Sequence, residues 1–233
     1  AALAGYTNLF HAVATTGSGS PLGSPRPERL VGAALEGGDP ARILALVNVR
    51  HVVSPFPPRI PGLRLSAEKR GVRRYDAPGA FGRSYFPAGS RIADDGETRK
   101  ALRSHGFDPA RLALVAPLPP GTRLPAPRPP GAWAAARFVA DEPERAELTT
   151  SASAASLLVL TRSWDPGWEA RVDGEAVAVL RAQLALLAVV VPPGEHRIEI
   201  AYRPVSFRIG LALSAAGLLA LLALSLAAPP GGR

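Results

Sequence analysis

Residues 163–174 read SWDPGWEARVDG, and the meaning of this stretch decides the fold. Asp165-Pro166-Gly167 suits a type II turn, in which proline fixes φ at the second position and glycine accepts a positive φ at the third. Trp168, Ala170 and Val172 then alternate with Glu169 and Arg171, the period of a strand with one buried face. Asp173-Gly174 is a hairpin turn pair. Trp164 and Trp168, two of the three tryptophans in the chain, bracket the first turn and raise the alternative of an aromatic ligand platform. The alternation assigns Trp168 to the core side of its strand. Trp164 precedes the turn, lacks that context, and is the better candidate to face solvent and stack on a sugar ring.

The same grammar extends outward. Residues 176–180 return with Val177 and Val179 alternating, and the continuously apolar 185–191 predicts a central strand buried on both faces. Pro192-Pro193-Gly194 turns the chain, and 196–202 sets His196, Ile198, Ile200 and Tyr202 on one face opposite Arg197 and Glu199. Upstream, 135–140, 145–151 and 156–162 are three more candidate strands. Seven short strands separated by turn signals predict a mainly β fold, an antiparallel, jelly-roll-like β-sandwich over residues 133–203.

Seven prolines fall within residues 117–132, a stiff linker or extended edge at which a domain boundary is expected. Residues 1–116 before it read as a small α/β region. Its expected helices are 28–36, 40–47 with Asp39 as cap and Pro40 at the first helical position, and 97–104 with Asp94 and Asp95 at its start. Its expected strands are 49–54, 71–75, 83–86 and 112–116. His51 lies inside the first of these and reads as a sheet residue, because no second ligand type stands at metal spacing from it.

Beyond the sandwich, residues 209–228 (IGLALSAAGLLALLALSLAA) contain no charge, and twenty residues at about 1.5 Å each reach roughly the 30 Å of a bilayer's hydrocarbon core. This predicts one C-terminal transmembrane helix. Tyr202, Arg203, Phe207 and Arg208 precede it as an aromatic and snorkelling interface would. Ala212, Ala216 and Ala220 recur at a spacing that lets another helix approach closely. The tail carries a single arginine, Arg233, but long domains translocate largely regardless of charge, so counting charges does not set the sidedness.

Composition narrows the function. The net charge of +8 comes from 25 arginines and two lysines that are scattered except at 68–74 (EKRGVRR), with no basic stripe interleaved with aromatics, which argues against nucleic-acid binding. Arg70, Arg73 and Arg74 there either meet lipid phosphates or keep a hairpin edge charged against aggregation. The absence of cysteine excludes disulfides, thiolate metal sites and cysteine nucleophiles. The chain starts at Ala1 without methionine or the charged n-region of a signal peptide, and is expected to be a piece of a longer protein. GSGSPLG at 17–23 is neither a nucleophile elbow nor a phosphate loop and reads as a flexible loop. The histidines at 11, 51, 105 and 196 lack metal spacing, and the acidic run 141–147 reads as a solvated loop. No catalytic residue and no metal ligand is assigned.

Between residues 157 and 214 the chain resembles the C-terminal region of the YfhO-type bacterial membrane proteins. The stretches that carry the likeness are LLVLTRSWDPGWEARVDG, VLRAQLALLAVVVPPGEHRIEIAYRP and SFRIGLALS. Trp164 and Asp165 stand where two tyrosines are common in that family, and Gln183 stands where asparagine is usual. ILALVNVRHVVS at 43–54 and the Arg83-x-Tyr85 pair extend the likeness upstream. The resemblance implies a polytopic protein with the architecture of GT-C glycosyltransferases, which transfer sugar from a polyprenyl-phosphate carrier on the outer face of the bacterial cytoplasmic membrane. It implies a catalytic carboxylate, and any divalent metal, in a core outside this chain, so no cofactor is assigned here. It implies that residues 1–203 face the extracytoplasmic side. The expected partners are the lipid bilayer, upstream transmembrane helices of the same protein, and a polyprenyl-phosphate sugar or cell-envelope glycan. A membrane-anchored, non-catalytic glycan-binding or scaffold module is the alternative. The candidate binding residues, Trp164, Trp168, Asp173, Arg181 and His196, all fall within the stretches that carry the resemblance.

Overall fold

The computed structural model describes residues 39–77 and 79–227, so the helix expected at 28–36 and the loop at 17–23 lie outside the described residues. The first element, α1 (Pro40–Leu46), starts where Asp39 accepts hydrogen bonds from the Ala41 and Arg42 amides. It stops at Asn48, whose φ of 58° places it in the left-handed region that asparagine tolerates. The Asn48 and Val49 amides turn back onto the Ala45 and Leu44 carbonyls, which satisfies the helix end. A three-stranded antiparallel sheet follows, β1 (His51–Ser54), β2 (Arg64–Lys69) and β3 (Val72–Asp76), with β3 in the middle.

Next come β4 (Ser84–Tyr85), β5 (Gly89–Ile92), α2 (Asp95–Leu102) and β6 (Leu112–Val115). The start of α2 is a capping box: the Asp94 carboxylate accepts from the Glu97 amide while the Glu97 carboxylate accepts from the Asp94 amide. Eight strands then run to the final helix: β7 (Ala134–Asp141), β8 (Arg145–Ala152), β9 (Ser156–Ser163), β10 (Trp168–Val172), β11 (Glu175–Val177), β12 (Leu180–Ala182), β13 (Leu186–Val191) and β14 (Gly194–Tyr202).

These strands form two further sheets. One has five strands in the order β11-β10-β14-β8-β7, and the other six in the order β4-β9-β13-β12-β6-β5, antiparallel except for the β5–β6 pair. They face each other across Leu148, Ile198, Ile200 and Val172 from the five-stranded sheet and Leu158, Leu160, Leu187 and Val189 from the six-stranded one. The intervening side chains of the six-stranded sheet, including Leu157, Val159, Leu186 and Ala188, pack the other way against Ile43 and Leu46 of α1 and Leu102 of α2. The six-stranded sheet is thus the middle layer, apolar on both faces. This explains why β13 is the run without polar alternation: Leu186–Ala188 alone fills both cores. At about 1.5–3 kcal/mol per large apolar side chain, this strand anchors both cores.

The mainly β expectation holds, with one difference in organisation. The proline-rich 117–132 does not divide the sheets, because β4, β5 and β6 before it share one sheet with β9, β12 and β13 after it. Backbone pairing over long sequence separations overrides a composition break. The single strand expected at 176–180 is two, because Val177 ends the strand on one sheet and Leu180 begins β12 on the other. The exposed strand β2, with no alternation of burial, and the parallel β5 carry no period-two signal.

The last element, α3 (Val205–Ala227), contains 23 residues and follows β14 after only Arg203 and Pro204. It is long and apolar enough to cross a membrane, and none of its apolar span is buried against the rest of the protein. At about 1.5 Å per residue it is roughly 34 Å long, against a hydrocarbon thickness of about 30 Å. It starts four residues before the expected helix, at the first position after Pro204.

Candidate functional site

The five candidate binding residues do not converge. They lie in three places: at the two ends of the β10–β14 pair, and beside β12 of the middle sheet, where Arg181 meets Asp95.

At the end remote from α3, Val172 pairs with Ile198 and the chain turns at Asp173-Gly174, with φ of 50° and 87°. Both values are positive, as a type I′ hairpin requires. Asp173 holds this conformation with its side chain: Oδ1 accepts from the Arg197 amide at 2.8 Å and Oδ2 meets His196 Nδ1 at 2.6 Å. His196 Nε2 lies 3.1 Å from the Pro193 carbonyl oxygen. Both ring nitrogens therefore face acceptors, and the imidazolium, which donates from both, is the form that satisfies them. The Asp173 hydrogen bond, then the Pro193 carbonyl, raise the His196 pKa, and the His196 hydrogen bond, then the Arg197 amide, lower that of Asp173. The pair fastens the β10–β11 turn to β14.

At the other end, the Asp165-Pro166-Gly167 turn differs from the expected type II geometry. Gly167 is not in the left-handed region; the Trp168 amide donates to the Asp165 carbonyl at 3.2 Å and the Gly167 amide to Asp165 Oδ1 at 2.9 Å. Glycine is required here for space. A Cβ on Gly167 would lie 2.8 Å from Tyr202 Cε2 and 2.9 Å from Pro204 Cα. The Arg203 amide donates to the Gly167 carbonyl at 2.7 Å, and the Tyr202 hydroxyl donates to Asp165 Oδ1 at 3.1 Å. The rings of Trp168 and Tyr202 stand 5.1 Å apart, and the indole Nε1 of Trp168 donates to the Ser163 carbonyl. The Tyr202 amide donates to the Glu144 carbonyl of the β7–β8 turn, and Arg203 lies 3.5 Å from Glu169. The turn is clasped onto the two residues that lead into α3. Phe207 is exposed on the first turn of that helix.

Trp164 and Arg181 meet on the third site. The Arg181 guanidinium lies 5.9 Å from the Trp164 ring centroid, 2.7 Å from Asp95 at the start of α2, and donates to the Leu184 carbonyl at 3.1 Å. Trp164 is half-buried, as is Trp168, so neither is an open platform. The neighbouring Gln183-Leu184 turn is buried with φ of 50° and 70°, and Gln183 spans to β6 by donating from its amide to Leu114 and from Nε2 to Leu112. Tyr85, half-buried against the same core with its hydroxyl enclosed, has its phenol pKa pushed up by burial.

The exposed tryptophan is one that the turn pattern did not single out. Trp133 is 55% exposed just before β7, its backbone pinned by Ser153, whose hydroxyl accepts from the Trp133 amide and whose amide donates to the Trp133 carbonyl. It follows a Pro-Gly turn directly and precedes an alternating strand, a signal that was present. Register across β7, β8 and β14 sets it at the end remote from α3.

On the three-stranded sheet the Ser66 hydroxyl donates to Asp76 at 2.8 Å and His51 Nδ1 lies 2.9 Å from the same oxygen, so the serine is not coupled to the histidine as a nucleophile requires. Ser66, then His51, hold the Asp76 pKa down. Arg73 pairs with Glu68 at 3.0 Å, Arg74 donates to Ser66, and Arg70 occupies a positive-φ turn position at the hairpin tip. Among the described residues no group of three or more His, Asp or Glu side chains could hold a metal ion. A shallow open recess of about 230 Å³ lies along Gly96, Arg99, Lys100 and Arg103 of α2 and includes none of the candidates.

Fold and junction together define a class: a β-sandwich whose last strand continues, with almost no linker, into an apolar helix long enough to cross a membrane. Residues 137–214, from β7 into the first half of α3, match the family model described as bacterial membrane protein YfhO. The match is consistent with a YfhO-type C-terminal region and, with the apolar helix, suggests association with a lipid bilayer. No curated protein and no solved structure matches the chain.

Proposed function

We propose that this domain is the extracytoplasmic C-terminal part of a polytopic, GT-C-like glycosyltransferase of the bacterial cytoplasmic membrane, acting on polyprenyl-phosphate-linked sugar. The observation that carries the reading is the YfhO match across residues 137–214, which runs from β7 through the clasp into the first half of α3. The transfer chemistry belongs to groups outside residues 1–233. In support, His196, Asp173 and Arg181 are each committed to partners within the fold. In this reading the domain positions the acceptor glycan above the membrane.

The test is sugar transfer by the full-length protein in membrane vesicles supplied with radiolabelled polyprenyl-phosphate monosaccharides. Label is expected to appear in an envelope glycan, and its loss is expected on substituting an outward-facing acid upstream of Ala1. A folded full-length protein that transfers none of the sugars would contradict the reading.

A second reading, a glycan-binding module without transferase activity, is favoured by Trp133, an exposed indole on a pinned backbone. It predicts saturable quenching of tryptophan fluorescence by envelope oligosaccharides that disappears in Trp133→Ala.

A further inference from the structure

We infer that the end of the sandwich formed by the 142–145 and 165–167 turns is a bilayer-docking surface, held in fixed orientation against the lipid headgroup layer by the Gly167 clasp. The inference rests on the reading of α3 as a membrane-spanning helix, and adds to it where the domain sits and what holds it there.

Three observations lead to this surface. Only Arg203 and Pro204 separate β14 from α3, so the sandwich cannot stand off on a tether. The helix is roughly 34 Å long against a hydrocarbon core of about 30 Å, which leaves Val205 within a few ångströms of the core boundary. The headgroup layer on each side is about 5–8 Å thick, so chain within one or two residues of Val205 is at headgroup depth.

The 165–167 turn meets that condition through Arg203 and Pro204, and the 142–145 turn lies one residue further back, at Tyr202. The Glu144 carbonyl accepts from the Tyr202 amide, the Gly167 carbonyl accepts from the Arg203 amide, and Gly167 is in closest packing with Pro204. Trp168 and Tyr202, 5.1 Å apart, stand at the same level, where amphipathic rings are favoured. The opposite end of β14, at Gly194, is eight steps away, about 27 Å at 3.4 Å per residue.

The partner is the headgroup region of a phospholipid bilayer in general, with no selection for anionic lipid. The arginines at this end are engaged by carboxylates: Arg83 and Arg162 both bind Asp141, Arg145 lies near Glu147, and Arg203 pairs with Glu169. Geometry, set by the short link and the clasp, places the surface, so its depth is expected to persist in zwitterionic vesicles and at high salt.

The chain has no cysteine, so single labels can be introduced without other changes. The full chain carrying Pro166→Cys, Glu144→Cys, Glu195→Cys or Leu219→Cys is labelled with an environment-sensitive fluorophore and reconstituted into phosphatidylcholine vesicles containing lipids spin-labelled either at the headgroup or in the acyl chain. The account expects headgroup quenching at 166 and 144 severalfold stronger than at 195, and acyl-chain quenching at 219. Acyl-chain quenching at 219 with equal, weak headgroup quenching at 166, 144 and 195 would overturn the docking surface and leave the spanning helix intact. No acyl-chain quenching at 219 would overturn the spanning helix and the docking surface with it. Gly167→Val supplies the second variant: with the clasp opened, quenching at 166 is expected to fall and broaden while that at 219 is unchanged. If the 166 signal is unaffected by Gly167→Val, the clasp does not hold the orientation.

Discussion

Strands β10 and β14 run side by side from Trp168–Tyr202 to Val172–Ile198, and their two ends are fastened by opposite physics. At the far end a charged pair, Asp173 with His196, ties a type I′ turn to the neighbouring strand through hydrogen bonds. At the helix end the fastening is contact without spare volume, Gly167 against Tyr202 and Pro204. The first kind of joint rests on a titrating pair and has open space at its turn glycine; the second rests on packing and has no room for a Cβ at Gly167.

The largest effect is expected where volume is the constraint. Gly167→Val should lower stability by about 1–3 kcal/mol, because Tyr202 can rotate aside only by giving up its Trp168 contact, and the Pro204 backbone cannot move without shifting α3. Thermal unfolding of the full chain in nanodiscs measures it, and an unchanged midpoint would mean that the joint has slack.

At the far end, Gly174→Ala meets open space but must adopt φ near 87°, so the cost is backbone strain alone, about 1–2 kcal/mol. A cost near zero in the same melting experiment would remove the type I′ assignment. Returning to the helix end, Tyr202→Phe deletes only the hydroxyl that reaches Asp165, a loss of about 1 kcal/mol. Burial, then the Asp165 hydrogen bond, raise the Tyr202 pKa, so its absorbance titration should run more alkaline than that of free tyrosine.

The smallest effect is expected in the pH profile. His196 has a raised pKa, so its contribution is fully present below the ordinary 6.5 and fades as pH rises through the raised value. Asp173 has a lowered pKa, so its contribution is present above the ordinary 3.8 and is lost as pH falls through the depressed value. Stability from the pair is therefore greatest between these two ordinary values. His196→Gln should flatten the alkaline fall, and a profile identical to wild type would show that the pair contributes nothing to folding.

The two ends also differ in how far the sequence reveals them. Asp173-Gly174 is a local signal, and its hairpin follows from turn chemistry alone. The strands at 168–172 and 185–191 were legible for the same reason, since alternation and its absence report one or two buried faces. Gly167 misleads: a Pro-Gly pair suggests a positive-φ requirement, whereas the structure uses the missing Cβ against residues 35 and 37 positions later. No local pattern encodes that contact. The union of β4, β5 and β6 with the later strands was hidden for a related reason, because pairing across more than forty residues leaves no trace in composition. The candidate binding set was legible only as motif positions, and the fold distributes it over three places. Gln183 illustrates what such a motif position does: its φ of 50° is a turn requirement within a core.

The proposal that the sandwich stands outside the cytoplasmic membrane on a spanning helix meets its sharpest test in the sidedness of Glu195→Cys at the far end. In intact bacteria expressing the full-length protein with no other cysteine, a membrane-impermeant maleimide is expected to label this position to the same extent before and after permeabilisation. Labelling that appears only after permeabilisation would place the domain in the cytoplasm and contradict the claim.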